Sequence, residues 1–175
     1  MDYRRARQPG GTYFFTVVTH ARQPLLIDHV DRLRRAFRTV RARAPFDLEA
    51  IVILPDHLHA VWRLPQGDAD FSSRWQRIKR LFSSGIDLAS GDGSRQRKRE
   101  RAVWQRRFWE HAIRDGEDWR RHVDYIHFNP VKHGVAPSPG QWPHSSFRRA
   151  VQQGWYAADW GSQVVPAGLQ GMHFE

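Results

Sequence analysis

Leu48-Glu-Ala-Ile-Val-Ile-Leu-Pro-Asp-His-Leu-His-Ala-Val-Trp-Arg-Leu64 reads as two strands and the turn between them. Leu48 to Leu54 and His57 to Leu64 are rich in aliphatic, β-branched and aromatic residues, and Pro55-Asp56 has the chemistry of a tight turn, so the segment predicts an antiparallel hairpin. His57 and His59 open its second arm. Two positions apart on an extended chain, they project to one face.

Upstream, Tyr13-Phe-Phe-Thr-Val-Val-Thr19 follows Gly10-Gly11 and predicts another strand. Val30, Leu33, Phe37 and Val40 then recur at helical spacing with arginines between them, so an amphipathic helix is expected from Val30 to Arg43, before Pro45. Phe71 to Phe82 predicts a second helix, with Trp75, Ile78, Leu81 and Phe82 on the apolar side and Arg74, Arg77, Lys79 and Arg80 on the remaining face. Residues 85–101 pass from Gly, Ser and Asp into Arg95, Arg97, Lys98, Arg99 and Arg101, the composition of a flexible basic loop. Residues 103–113 predict a returning strand.

Asp115-Gly-Glu-Asp118 carries helix-start chemistry, and the helix from Trp119 to Phe128 is expected to close before Pro130, with Tyr125 and Asn129 in its last turn. A short helical stretch follows near 145–153. The order strand, helix, strand, strand, helix, strand predicts an α+β fold of ferredoxin-like or RRM-like kind, an antiparallel sheet with helices on one face. The chain divides into one domain over residues 1–155, including a basic arm at 1–11 with Arg4, Arg5 and Arg7, and a C-terminal tail at 156–175.

Composition narrows the partner. Lys and Arg number 28 against 18 Asp and Glu, a net charge of +10, which is the footprint of a polyanion binder and makes nucleic acid the first partner to consider. Lys79, Lys98 and Lys132 are the only lysines, so arginine, with its fork for phosphate, dominates. Eight Trp and ten Phe supply core and candidate platforms for unpaired bases. The absence of cysteine excludes disulfides, thiolate nucleophiles and cysteine zinc sites, and fits a reducing compartment. With neither an apolar signal core at the start nor a run near the roughly 18 apolar residues of a membrane span, the chain is expected to be soluble and cytoplasmic.

Four groups carry candidate chemistry. His57, His59 and the amide oxygen of Asn129 can hold a divalent metal with positions open for a phosphate, and the hydroxyl of Tyr125, four residues before Asn129 on a helix, can attack that phosphate. Singly each has an ordinary role: a sheet histidine, a half-buried packing tyrosine, an asparagine closing a helix before proline. A ligand set of two imidazoles and one amide, without carboxylate or thiolate, suits Mg²⁺ or Mn²⁺. His122, one turn before Tyr125, is a further candidate for a proton relay or ligand, while His127 and His133 read as structural or phosphate-contacting.

Together these residues resemble a known family. Residues 54–59 resemble the His-hydrophobic-His motif of HUH nucleases, and Asp124-Tyr-Ile-His-Phe-Asn-Pro-Val-Lys-His-Gly134 resembles the catalytic-tyrosine helix of the REP-associated tyrosine transposases. Gly11-Thr-Tyr-Phe-Phe-Thr16, Trp104-Gln-Arg-Arg-Phe-Trp-Glu-His111 and Trp142-Pro-His-Ser-Ser-Phe147 extend the likeness over about residues 4 to 160.

The resemblance implies an HUH nuclease fold and a single-tyrosine endonuclease and strand transferase acting on single-stranded DNA with repetitive extragenic palindrome (REP) hairpins. It implies Tyr125 as nucleophile forming a 5′-phosphotyrosine, His57, His59 and Asn129 as ligands of Mg²⁺ or Mn²⁺, and a bacterial, nucleoid-associated setting. Arg4, Arg5, Arg7, Arg77, Lys79, Arg80, Arg97, Lys98 and Arg99 are the expected DNA contacts, from charge clustering. The competing reading is a non-catalytic module binding a DNA or RNA hairpin, which has no need of a hydroxyl beside a metal. Relaxases and replication initiators usually bring extra domains, and a generic metal hydrolase would look to Asp56 or Glu110 as its base. Both a monomer and a dimer fit the sequence.

Overall fold

The structure is a computed structural model that describes residues 7–86 and 102–174. Its strands are β1 (Thr12–Val18), β2 (Asp47–Ile53), β3 (His57–Arg63) and β4 (Trp109–Ala112), and its helices α1 (Val30–Arg43), α2 (Phe71–Ser83), α3 (Gly116–Lys132) and α4 (Phe147–Gln152). The strands form one sheet in the order β2-β3-β1-β4, each neighbour antiparallel, which is the ferredoxin-like arrangement expected from the element order. The hairpin of β2 and β3 turns at Pro55-Asp56 as expected. Among the described residues no helix is long and apolar enough to cross a membrane.

Two chains of crossover, β1-α1-β2 and β3-α2-β4, bring α1 and α2 together on one face. There Tyr13, Phe15 and Val17 of β1 and Leu58, Ala60 and Trp62 of β3 meet Leu33, Phe37, Phe71, Trp75 and Ile78. Trp62 is stacked on both sides, by Trp75 at 4.4 Å and by Phe46 at 4.0 Å between ring centroids. Such contacts add to area burial, which makes this stack a principal anchor of the layer.

Helices were expected on one face only, but α3 and the chain after it cover the other. Phe14, Val52 and Val61 pack there against Val123, Ile126, Phe147 and Tyr156. The physical reason lies in β1, whose apolar residues run on without alternation: a strand that is hydrophobic on both sides must be buried on both sides. Residues 156–174, read from the sequence as a tail, are part of this second layer, with Tyr156 and Leu169 buried.

The basic face expected of α2 is only half exposed. Arg74 is buried, ion-paired with Asp68 at 2.6 Å and donating to the carbonyls of Ala44, Pro45 and Asp70, so it ties the end of α1 to the start of α2. Lys79 is buried as well, donating to the Gln105 carbonyl at 3.1 Å with Trp104 and Phe108 rings beside its ammonium. Arg77 and Arg80 remain at the surface.

The strand expected over residues 103–113 is shorter, β4 being preceded by an isolated bridge of Trp104 to Thr19. Helix α3 starts where expected, with the Asp115 carboxylate accepting from the Asp118 amide at 2.8 Å. It does not close before Pro130, however, but runs to Lys132. Proline removes only one donor there, and the helix ends a turn later with Gly134 at φ +65°, the amides of Gly134 and Val135 donating back to Val131 and Pro130. Beyond it, residues 144–146 pair with the outer edge of β2 through Ile53 N–H to His144 O and Ser146 N–H to Ile51 O, which closes that edge to other strands.

Trp62→Ala removes the doubly stacked ring, and we expect a loss of about 3–5 kcal/mol in urea unfolding with the fold otherwise retained.

Candidate active site

Because side chains alternate across β3, Leu58, Ala60 and Trp62 go to the α1–α2 layer while His57 and His59 face α3. The two imidazoles lie 5.1 Å apart between ring centroids, both buried. Each is held by its δ nitrogen. His57 Nδ1 donates to Asp56 Oδ1 at 2.6 Å, and His59 Nδ1 lies 2.9 Å from the Thr16 hydroxyl directly across the β1–β3 pairing. The Thr16 hydroxyl spends its one hydrogen on the Phe174 carbonyl at 2.7 Å, so His59 Nδ1 is the donor of that pair. In both rings Nε2 is then the basic nitrogen, the one a metal would take. Burial works against the charge of Asp56, but bonds from His57 and Arg22 outweigh it and hold the carboxyl below its usual range.

Helix α3 delivers the other groups at helical spacing. Tyr125 is buried with its ring 5.2 Å from that of His59. Asn129, one turn later, is fully buried, and neither its amide oxygen nor its nitrogen has a hydrogen-bond partner among the described residues. A buried amide left in that state costs about 1–3 kcal/mol, and a metal ion taking the oxygen lone pair would relieve part of it. The donor set therefore fits a divalent cation held by His57, His59 and Asn129.

Lys132 was not foreseen. Two turns beyond Tyr125 on the same helix face, its ammonium donates to the tyrosine hydroxyl at 2.9 Å and lies 4.8 Å from the ring centroid. Its spacing of seven from Tyr125 was the available signal. Nor was Phe174, for which the sequence offered none: its ring lies 4.9 Å from those of Tyr125 and His122 and 5.3 Å from Trp109, and its amide donates to the Tyr125 hydroxyl at 3.4 Å. Lys132 also donates to the Met172 carbonyl, so residues 172–174 form a strap across the tyrosine.

His122 is buried between Phe14, Phe174 and His111 rings. Its Nδ1 donates to the Asp118 carbonyl at 2.8 Å and lies 3.2 Å from Oδ1 of the same residue, whose other oxygen accepts from His111 at 2.8 Å. The three ligand atoms of His111, Asp118 and His122 lie within 4.8 Å of one another. Burial, above all, pushes His122 below the usual imidazole value. Asp118 is opposed by burial but held down to about 2 by the bonds from His111 and the Arg114 amide. The cluster fixes the ring that stands one turn before Tyr125. His127 is a buried packing histidine, pushed down to about 3 by burial and bonded to Ser146 at 2.8 Å. His133 lies with its ring 4.9 Å from that of His57.

The expected DNA contacts are not gathered at this site. Arg77 and Arg80 sit on α2, across the sheet from Tyr125, and Lys79 is buried. Arg7 is exposed just before β1, while Arg4, Arg5, Arg97, Lys98 and Arg99 lie outside the described residues.

A REP-associated tyrosine transposase of Escherichia coli (strain K12) is 45% identical over 165 residues, 94% of this chain and 93% of that one. The chain belongs to the REP-associated tyrosine transposase family. A relative from Haemophilus influenzae with the same family designation is 42% identical over 163 residues, 91% of this chain and 93% of its own. Over 99% of this chain and 98% of the other, the solved structure of a REP-associated tyrosine transposase bound to a REP hairpin matches with a TM-score of 0.83 at 43% identity. No family model matches the chain.

Asp118 gives this family member a measurable acid response. Its carboxyl titrates near 2 when folded against 3.8 as the ordinary value, so its contribution is complete above about pH 4 and is lost as pH falls toward 2. Asp118→Asn should lower stability by about 2 kcal/mol at pH 7, with the gap to the parent closing between about pH 4 and 2 in denaturant titrations.

Proposed function

We propose that the chain is a metal-dependent single-stranded DNA endonuclease and strand transferase that binds REP hairpins and cuts through a 5′-phosphotyrosine on Tyr125. The observation that carries this reading is the contact of Tyr125 with both His59 and Lys132, with the orphaned, buried amide of Asn129 one turn farther along the same helix. The solved relative bound to a REP hairpin supports the choice of DNA partner.

The phenolic oxygen of Tyr125 gives up its proton to solvent and attacks the scissile phosphorus, forming the tyrosine ester and expelling the 3′-oxygen of the preceding nucleotide, which takes a proton from solvent and leaves as a hydroxyl. Lys132 sits where negative charge gathers on the attacking oxygen, and its ammonium stabilises that charge at hydrogen-bond distance. Bound by His57, His59 and Asn129, a divalent ion, Mg²⁺ or Mn²⁺, would neutralise charge on the phosphate. The ester keeps the energy of the broken bond, so another 3′-hydroxyl can reverse the step and join strands without ATP. Asp56 and Thr16 act by positioning, each holding one imidazole by its δ nitrogen. The strap must lift from Tyr125 before a phosphate can approach. Such chemistry belongs with the chromosome in the cytoplasm.

Incubation with hairpin-bearing single-stranded DNA and Mn²⁺, followed by a denaturing gel, should show a covalent protein–DNA band. Tyr125→Phe should lose that band with DNA affinity unchanged, and His57→Ala or His59→Ala should lose cleavage with the fold intact. Cleavage by Tyr125→Phe at the parent rate would refute the reading. Phe174→Ala, which weakens the strap without touching the proposed ligands, should raise the cleavage rate about tenfold, equivalent to ~1.4 kcal/mol of relief.

A further inference from the structure

On the outer side of β2, away from Tyr125, a cleft of about 340 Å³ opens between α1 and residues 143–149. That volume falls within the roughly 300–1,000 Å³ of small-ligand pockets. Phe37, Ile51 and Ile53 make an apolar floor. Above it stand Arg34, Arg38 and Arg41, at i, i+4 and i+7 on one stripe of α1, with Arg149 facing them. The stripe spans about 10 Å along the helix axis, enough for more than one phosphate.

These charges are oriented without being neutralised. Arg41 donates to the Phe46 carbonyl at 3.1 Å, and Arg149 donates to the carbonyls of Leu48 and Glu49 at 3.0 and 2.8 Å. Carbonyls fix a guanidinium but cancel none of its charge. Arg34 reaches Asp31 at 3.5 Å, yet that carboxylate side chain is 88% exposed, and an exposed pair contributes little. Arg34 also lies 3.3 Å from His144 Nδ1, which must therefore be the accepting, neutral nitrogen. Burial first and the neighbouring guanidinium second push both His144 and Arg149 below their ordinary values, Arg34 acting on the one and Arg41 on the other.

We propose that this cleft holds one unpaired nucleotide of the bound DNA strand, with its base on the apolar floor and its flanking phosphates on Arg34, Arg38 and Arg41. The inference rests on the DNA-cutting reading above and extends it to a second contact region. A free phosphate would leave the apolar floor unused, and an apolar ligand would leave the arginines without counter-charge. A nucleotide satisfies both, as bases do on other platforms that track single strands. The cleft also has the right address: Ile53 lies four residues before His57, so a strand following the β2 edge arrives at the histidine end of the hairpin.

The test uses the full chain carrying Tyr125→Phe, in EDTA, so that neither cleavage nor metal enters the readout. Binding is measured across a salt series for a bare stem-loop DNA and for the same stem-loop with unpaired nucleotides on either side. Arg34→Ala/Arg38→Ala should lose about tenfold in affinity for the flanked DNA, flatten its log–log salt slope by about 1.4, and leave the bare stem-loop unchanged. The paired lysine substitutions should restore the slope, and abasic flanks should lose the part of the affinity that depends on the floor. Both arginines are exposed, and an unchanged thermal midpoint will show that the fold is intact. Equal loss on both DNAs, no loss on either, or no gain from the flank in the parent would overturn the cleft assignment alone. A parent that binds neither DNA would overturn the DNA-cutting reading together with it.

Discussion

The register between β1 and β3 is the constraint on which the rest of the molecule depends. Thr16 lies opposite His59, and Val18 opposite His57, in the centre of a sheet buried on both faces. A slip of one residue in β3 would send both histidines into the aromatic layer under α1 and α2 and would turn Trp62 toward α3. The register is held by large side chains on each side at once: Trp62 cannot leave its place between Phe46 and Trp75, and that fixes the imidazoles on the opposite face. The stability of one layer thus sets the geometry of the other.

Helix α3 contributes through periodicity. His122, Tyr125, Asn129 and Lys132 fall at intervals of three or four and so share a face, and that face is laid on β3 by Val123 and Ile126. Asp118 anchors the start of the arrangement by holding His111 of β4 and His122 of α3 with one carboxylate. Tyr125 is therefore positioned by a helix whose own orientation is tied to the edge strand. Phe174 then packs into the space left between helix and sheet, where an apolar ring among Phe14, Trp109 and Tyr125 is well solvated by neighbours of its own kind.

Arginine serves two different ends in this chain. Arg74 is structural, enclosed by Asp68 and three carbonyls at the junction of α1 and α2. Arg34, Arg38 and Arg41 instead stand on the surface beside an apolar floor with little carboxylate nearby. Net charge does not distinguish the two uses. The difference comes from what the fold brings alongside each guanidinium.

The sequence by itself determined β1, β2, β3, α1, α2, the start of α3 and the order of the elements, though not the extent of β4, because those features rest on local periodicity, turn residues and caps that neighbours in sequence supply. It likewise placed His57 with His59, and Tyr125 with Asn129, since a period of two or of about four is a property of one element. Only the tertiary structure decided which face α3 would cover, that Lys79 would be buried, that Thr16 would hold His59, and that Phe174 would reach Tyr125 from the far end of the chain. It also decided that α3 would run past Asn129 to Lys132, where the burial of Pro130 and a glycine-ended turn outweigh one missing donor. All but the last of these outcomes join segments distant in sequence, and no local preference carries information about which distant surface a side chain will meet.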